Sequence, residues 1–248
     1  MLTARQLTKA YGARKALDGL DLEVGGGEVL CLLGPNGAGK TTTLHLFLGL
    51  LKPTSGTALV KGVDVAADPI TARRHIAYVP EQVQLYPHLS GLENLGYFLG
   101  LALPAPPPPE RLHTLLREAG LPAEAATRPV GGYSKGMRQK VVLALALARE
   151  AEALLLDEPT SGLDPVSIRE LGNLIKRLSA RGASVLMVTH DLSIVRSVAH
   201  RVGVMKAGRL VELTPAASLS EEGLERLYWK HFEPEGATGP SLPHASGA

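Results

Sequence analysis

The sequence predicts an α/β fold built on a parallel sheet, and three observations carry that expectation. Short unbroken apolar runs recur at "EVLCLLG", "EALLLDEP" and "SVLMVTH". Strands covered on both faces read this way, because neither face can be polar. Helical patterns lie between the runs. Each run also ends on residues with chemistry, at Gly34, at Asp157 and Glu158, and at His190. Open parallel sheets bind their ligands at the carboxyl ends of the strands.

The elements follow in order. "LDGLDLEV" puts Leu20, Leu22 and Val24 on one face and Asp21 and Glu23 on the other, the period of a half-exposed antiparallel strand. "GGGE" makes a turn into the first apolar run. After Lys40, "TTTLHLFLGLL" reads as a helix. Residues from about 85 to 150 read as predominantly helical. "PAPPPP" at 104–109 interrupts them as a stiff extended connector, with Pro109 or Glu110 opening the next helix. Within this segment "GGYSKGMRQK" marks a helix start. Ser134 is a good N-cap, yet Lys135 follows it where the helix dipole is already positive. An anion docking there would explain the pair. Further on, Ile168, Leu171, Leu174, Ile175 and Leu178 fall at helical intervals. The Gly/Pro/Ser/Ala-rich tail, 233–248, is expected to be disordered.

Composition sets outer bounds. The chain has 248 residues, 45% of them hydrophobic, ample for a sizeable core. It holds no run of 18 apolar residues, so no membrane-spanning helix is expected. "MLTARQLTKAYG" has no apolar signal segment, which predicts a cytoplasmic protein. The single cysteine, Cys31, excludes a disulfide framework and a zinc cluster and reads as a buried apolar residue. The net charge of +2 comes from interspersed charges of both signs, without the basic tracts of a nucleic-acid arm.

"GPNGAGKT" matches the phosphate-binding pattern G-x-x-x-x-G-K-[ST], with a strand before it and a helix after it. Its residues are Gly34, Pro35, Asn36, Gly37, Ala38, Gly39, Lys40 and Thr41, followed by Thr42. The glycines let backbone N–H groups curl round an oxyanion cluster. Lys40 adds a point charge for the β- and γ-phosphates, and the Thr41 hydroxyl is a hard ligand for Mg²⁺. "LLLDEPTSGLD" supplies the second half. Asp157 can hold Mg²⁺ through water, and Glu158 can orient and deprotonate an attacking water. Two adjacent carboxylates at a buried edge need a cation to compensate them. His190 ends the third strand and is expected to contact phosphate.

These motifs occur in a fixed order: the P-loop, "YSKGM" at 133–137, "LLLDEP" at 154–159, "SGLD" at 161–164 and "TH" at 189–190. The set resembles the ATP-binding subunit of an ABC (ATP-binding cassette) transporter over residues 2 to 215. The resemblance implies a P-loop NTPase with a RecA-like core, an N-terminal antiparallel β subdomain and an inserted α-helical subdomain. It implies an ATPase unit at 1–215, a helical extension at 216–232, and ATP and Mg²⁺ as cofactors. Two subunits, in a homodimer or paired with a second ABC ATPase, would sandwich two ATPs head to tail. Tyr11 matches the aromatic that stacks on adenine. Tyr133, Ser134, Lys135, Gly136 and Met137 match the signature that reads the partner's ATP. Ser161, Gly162, Leu163 and Asp164 match the D-loop. "YVPEQVQLYPHLSGLENL" matches the segment that senses Mg²⁺ and the membrane domain.

Two departures stand out. Glu81 occupies the place of the family's glutamine with Gln82 beside it, so either could serve Mg²⁺. The signature keeps Ser134 and Gly136 but replaces the other three family residues, a variant similar to that of the type-2 exporter branch. That similarity implies a separate integral membrane permease as partner, a position on the inner face of the cell membrane, and no nucleic acid. A soluble ABC ATPase acting on DNA or ribosomes is the rival reading. Against it, no heptad run separates the two halves of the site and only one P-loop is present.

Overall fold

In the first half of the chain the elements are β1 (Leu2–Tyr11), β2 (Arg14–Val24), β3 (Val29–Leu33), α1 (Lys40–Phe47), β4 (Ser55–Val60), β5 (Val63–Asp64), α2 (Pro69–Arg74) and β6 (Ile76–Val79). A helical segment follows, with α3 (Gly91–Ala102), α4 (Pro109–Glu118) and α5 (Lys135–Ala148). The chain then returns through β7 (Ala153–Asp157), α6 (Pro165–Ala180), β8 (Ser184–Val188), α7 (Leu192–Val198), β9 (Arg201–Lys206) and β10 (Arg209–Pro215) to α8 (Glu221–Phe232). The computed structural model describes residues 1–105 and 107–232. The expected disordered tail lies outside the described residues.

Two sheets organise the fold. The six-stranded sheet has the order β10-β9-β3-β8-β7-β6, parallel except for the β9–β10 hairpin. The second sheet, β2-β1-β4-β5, is antiparallel throughout. The unbroken apolar runs are explained by what covers the larger sheet. On β3, Leu30 and Leu32 join a core with α1 and the antiparallel sheet, through Leu7, Leu20, Leu44 and Phe47. Val29, Cys31 and Leu33 join a second core with the helices, through Leu99, Leu143, Ile175 and Val195. β7 alternates in the same way, Leu155 toward the first core and Leu154 and Leu156 toward the second. Neither face of either strand meets water, so period two disappears from the sequence. Cys31 is fully buried, and burial pushes its thiol up, out of reach of ionisation.

In β2 the alternation is real. Leu20, Leu22 and Val24 are buried and Asp21 and Glu23 exposed. α4 opens at Pro109, with Pro108 as its N-cap. Among the described residues no helix is long and apolar enough to cross a membrane.

Candidate functional site

The phosphate-binding turn leaves β3 at Leu33 and enters α1 at Lys40. Gly37 (φ 81°) and Gly39 (φ 102°) are left-handed, where a side chain is strained. A Cβ on Gly39 would lie 2.5 Å from the Ala16 carbonyl oxygen, and one on Gly34 would lie 2.6 Å from that of Met205. The turn is therefore packed against β2 and β9, and only glycine fits these two places. Lys40 is buried beneath it. Its Nζ donates to the carbonyls of Gly34 (2.5 Å) and Pro35 (3.2 Å) and lies 3.9 Å from Glu158 Oε1. Burial pulls its ammonium down from the usual lysine range, opposed by the charges of Glu158 and Asp157.

Asp157 ends β7, 6% exposed. It accepts from Thr41 Oγ1 (3.1 Å) and from the Tyr78 hydroxyl (3.4 Å). Burial nonetheless raises its carboxyl above the ordinary aspartate range, against the Thr41 hydrogen bond. A folded-state pKa raised in this way means that the native state holds the proton more tightly than the unfolded chain. Stability is then fullest with the proton on and falls as pH rises from the ordinary carboxylate range through the folded pKa. Without divalent cation, Asp157→Asn will remove that fall. Melting temperatures of both proteins from about pH 4 to neutrality check this, and identical pH slopes would contradict it.

Glu158 leaves the strand in the left-handed region, φ 43°. That conformation costs a non-glycine residue on the order of 1–3 kcal/mol and persists only where the surroundings hold it. Here the Glu158 N–H donates to the Val188 carbonyl at 2.9 Å. Glu158 Oε2 accepts from the His190 N–H at 3.3 Å and lies 2.9 Å from His190 Nδ1. Behind it, buried Gln139 of α5 donates to the Pro159 carbonyl at 2.9 Å. Lys40, Thr41, Asp157, Glu158 and His190 thus meet at one end of the sheet, as the three strand ends predict.

Above them lies a cleft of about 440 Å³ lined by Tyr11, Arg14, Ala16, the phosphate-binding turn with Thr42, Glu81 and Glu158. Tyr11 stands 53% exposed at its rim, with Lys9 Nζ 5.0 Å over the ring. Glu81 and Gln82 lie in different places. Glu81 lines this cleft, whereas Gln82 lines a separate groove of about 580 Å³ with Leu85, Pro87, Val130, Lys135 and Arg138. Ala38 is buried and supports the turn from below. Among the described residues no group of three or more His, Cys, Asp or Glu could hold a metal by itself. Thr41 with Asp157 suits Mg²⁺ that shares its ligation with phosphates.

The signature residues do not join this cleft. Ser134 is the exposed N-cap of α5, accepting from the Met137 N–H at 3.2 Å. Gly136 packs against Ser167 and Leu163 of the α6 region. Tyr133 packs into the core of its own chain. It is buried (4% exposed), and its hydroxyl donates to the Ala125 carbonyl. The Lys135 chain passes beside Gly162 and lines the Gln82 groove. In the D-loop, Gly162 is left-handed (φ 67°) and Asp164 caps α6 through the N–H groups of Val166 and Ser167, both at 3.0 Å. Ser161 N–H donates to the Glu158 carbonyl at 3.2 Å, and Leu163 N–H to that of Thr160 at 3.0 Å. Arg14, Tyr78 and Gln139 were not foreseen. Tyr78 and Gln139 lie inside stretches quoted above, but nothing in the local pattern gives either a role. Their contacts with Asp157 and the Pro159 carbonyl, and the place of Arg14 in the cleft, come from segments distant in sequence.

The chain is similar to known proteins in sequence and in fold. The family model for ABC transporter matches residues 17–161. YhcH of Bacillus subtilis (strain 168), an uncharacterized ABC transporter ATP-binding protein, is 35% identical over 214 residues, covering 86% of this chain and 69% of that protein. LptB of Escherichia coli (strain K12), the lipopolysaccharide export system ATP-binding protein, is 34% identical over 233 residues, covering 92% and 96%. A solved ATP-binding cassette, dimeric in a post-hydrolysis state with ADP and Pi, matches with a TM-score of 0.79 at 28% identity, covering 87% of this chain and 99% of that one.

Proposed function

The chain belongs to the ABC transporter family as an ATP-binding subunit, and from that premise we propose that it hydrolyses ATP as a head-to-tail dimer that drives a separate membrane permease. The observation that carries the reading is Glu158, held in a strained backbone between Lys40 and His190 at the mouth of the cleft. A carboxylate so placed can accept a proton from water attacking a γ-phosphate.

The cycle follows from the residues. ATP enters with adenine against Tyr11 and its phosphates on the N–H groups of the 34–42 turn. Lys40 exchanges its carbonyl partners for phosphate oxygens. Mg²⁺ held by Thr41 and Asp157, with Glu81 at the cleft wall, would neutralise charge on the β- and γ-phosphate oxygens. Ser134 and the first turn of α5 face a second copy's γ-phosphate, completing a site that one chain leaves open. Glu158 positions the water, and His190 and Lys40 stabilise charge in the transition state. Hydrolysis then adds product charge and loosens the dimer.

The permease contact is assigned to the Gln82 groove; between its lining residues Leu85 and Pro87 the chain carries exposed Tyr86, whose ring meets that of exposed Tyr97. In this proposal residues 1–215 form the ATPase unit, with the helical part at about 85–150 as an insertion. The export function in LptB's name and the signature variant support an exporter. Affinity purification of the full chain from its own membranes tests the proposal. An integral membrane protein should co-purify, and the complex should release phosphate from ATP only with Mg²⁺ present. ATPase activity stimulated by DNA or ribosomes, with no membrane partner, would replace it with the soluble reading.

A further inference from the structure

The cleft contains one cation whose role no motif assigns. The β1–β2 hairpin pairs Tyr11 directly with Arg14, so the two side chains share a face and both line the cleft. An Arg14 guanidinium nitrogen lies 3.5 Å from where a Cβ on Gly37 would stand. The guanidinium therefore sits over the phosphate-binding turn itself.

The neighbouring cations all have partners. Lys9 donates to the Lys52 carbonyl at 2.8 Å and covers the Tyr11 ring. Lys15 pairs with Asp18 at 2.7 Å. Lys40 is held by the Gly34 and Pro35 carbonyls and faces Glu158. Among the described residues the Arg14 side chain has no hydrogen bond or ion pair. A forked donor set left open beside Asn36 and Gly37 matches a phosphate oxyanion, which guanidinium groups bind in two-pronged fashion.

We propose that Arg14 is a nucleotide-binding residue that donates to the phosphates of the chain's own ATP from above the Gly37 turn. The proposal rests on the nucleotide site described above and adds a contact outside the phosphate-binding loop. Because Arg14 is exposed, its contribution is screened by salt.

The experiment titrates fluorescent mant-ATP into wild type, Arg14→Gln and Arg14→Lys at low and high ionic strength, with unlabelled adenosine as competitor. Arg14→Gln should raise the Kd for mant-ATP about three- to tenfold at low salt, with the gap shrinking at high salt. Arg14→Lys should recover part of the loss, and adenosine should compete equally in all three proteins. Matching melting temperatures establish that the variants are folded. Equal mant-ATP affinity in wild type and Arg14→Gln would overturn the proposal, as would an equal loss for adenosine and ATP. A wild-type protein that binds no mant-ATP at all would overturn the nucleotide site itself, a distinguishable result.

Discussion

Glu158→Gln will leave ATP binding intact and cut turnover by roughly 10² or more. The substitution keeps the length of the side chain and an oxygen that can accept from the His190 N–H, now 3.3 Å from the carboxylate. It removes the negative charge 3.9 Å from Lys40 and the ability to take a proton. Lys40 then faces incoming phosphates without a competing carboxylate, so affinity should hold or rise while the chemical step slows. The variant also keeps the left-handed backbone, since the Val188 carbonyl that receives the 158 N–H is untouched. Phosphate release at saturating ATP, set beside the Kd for ATP, checks both halves. Hydrolysis at the wild-type rate would remove Glu158 as the general base.

Ser134→Arg, made in the Glu158→Gln background, will abolish ATP-driven dimerisation while leaving the monomer's affinity for ATP unchanged. Ser134 lies outside its own chain's cleft and is exposed, so a long side chain there obstructs only what docks against α5. Loss of the N-cap bond to Met137 should cost about 1 kcal/mol of stability, small enough for the variant to remain folded. Lys135→Gly separates the charge from the helix terminus. If Lys135 helps to bind the partner's phosphate, its removal weakens the dimer at low salt and matters less at high salt. Its position in the Gln82 groove, beside Gly162, ties it to the proposed permease contact as well. Dimerisation of Ser134→Arg equal to that of its parent would show that the α5 terminus does not face the second nucleotide.

The legible parts of the molecule were those governed by short-range rules. The apolar runs of β3, β7 and β8 report burial on both faces, and their endpoints locate Gly34, Asp157 and His190 correctly. Ser134 reads as a cap because capping depends on residues within one helical turn. The hidden parts depend on which distant segments meet. Tyr133 looks like one more signature position, yet it points inward because the Ala125 carbonyl lies within reach of its hydroxyl. Glu81 and Gln82 are adjacent and chemically similar in sequence, and only the path of the chain after β6 sends one into the cleft and the other into the groove. Arg14 and Lys15 are likewise neighbours of equal charge. Lys15 pairs with Asp18 along its own strand, while the hairpin register sets Arg14 opposite Tyr11, over the phosphate-binding turn.

The central claim is that ATP, held in one chain's cleft, completes its site with the α5 terminus of another. Light scattering of Glu158→Gln with ATP and Mg²⁺, and separately with ADP and Mg²⁺, tests it most directly. The account predicts the mass of a dimer with ATP and of a monomer with ADP. A monomer in both conditions, or a dimer in both, would contradict it.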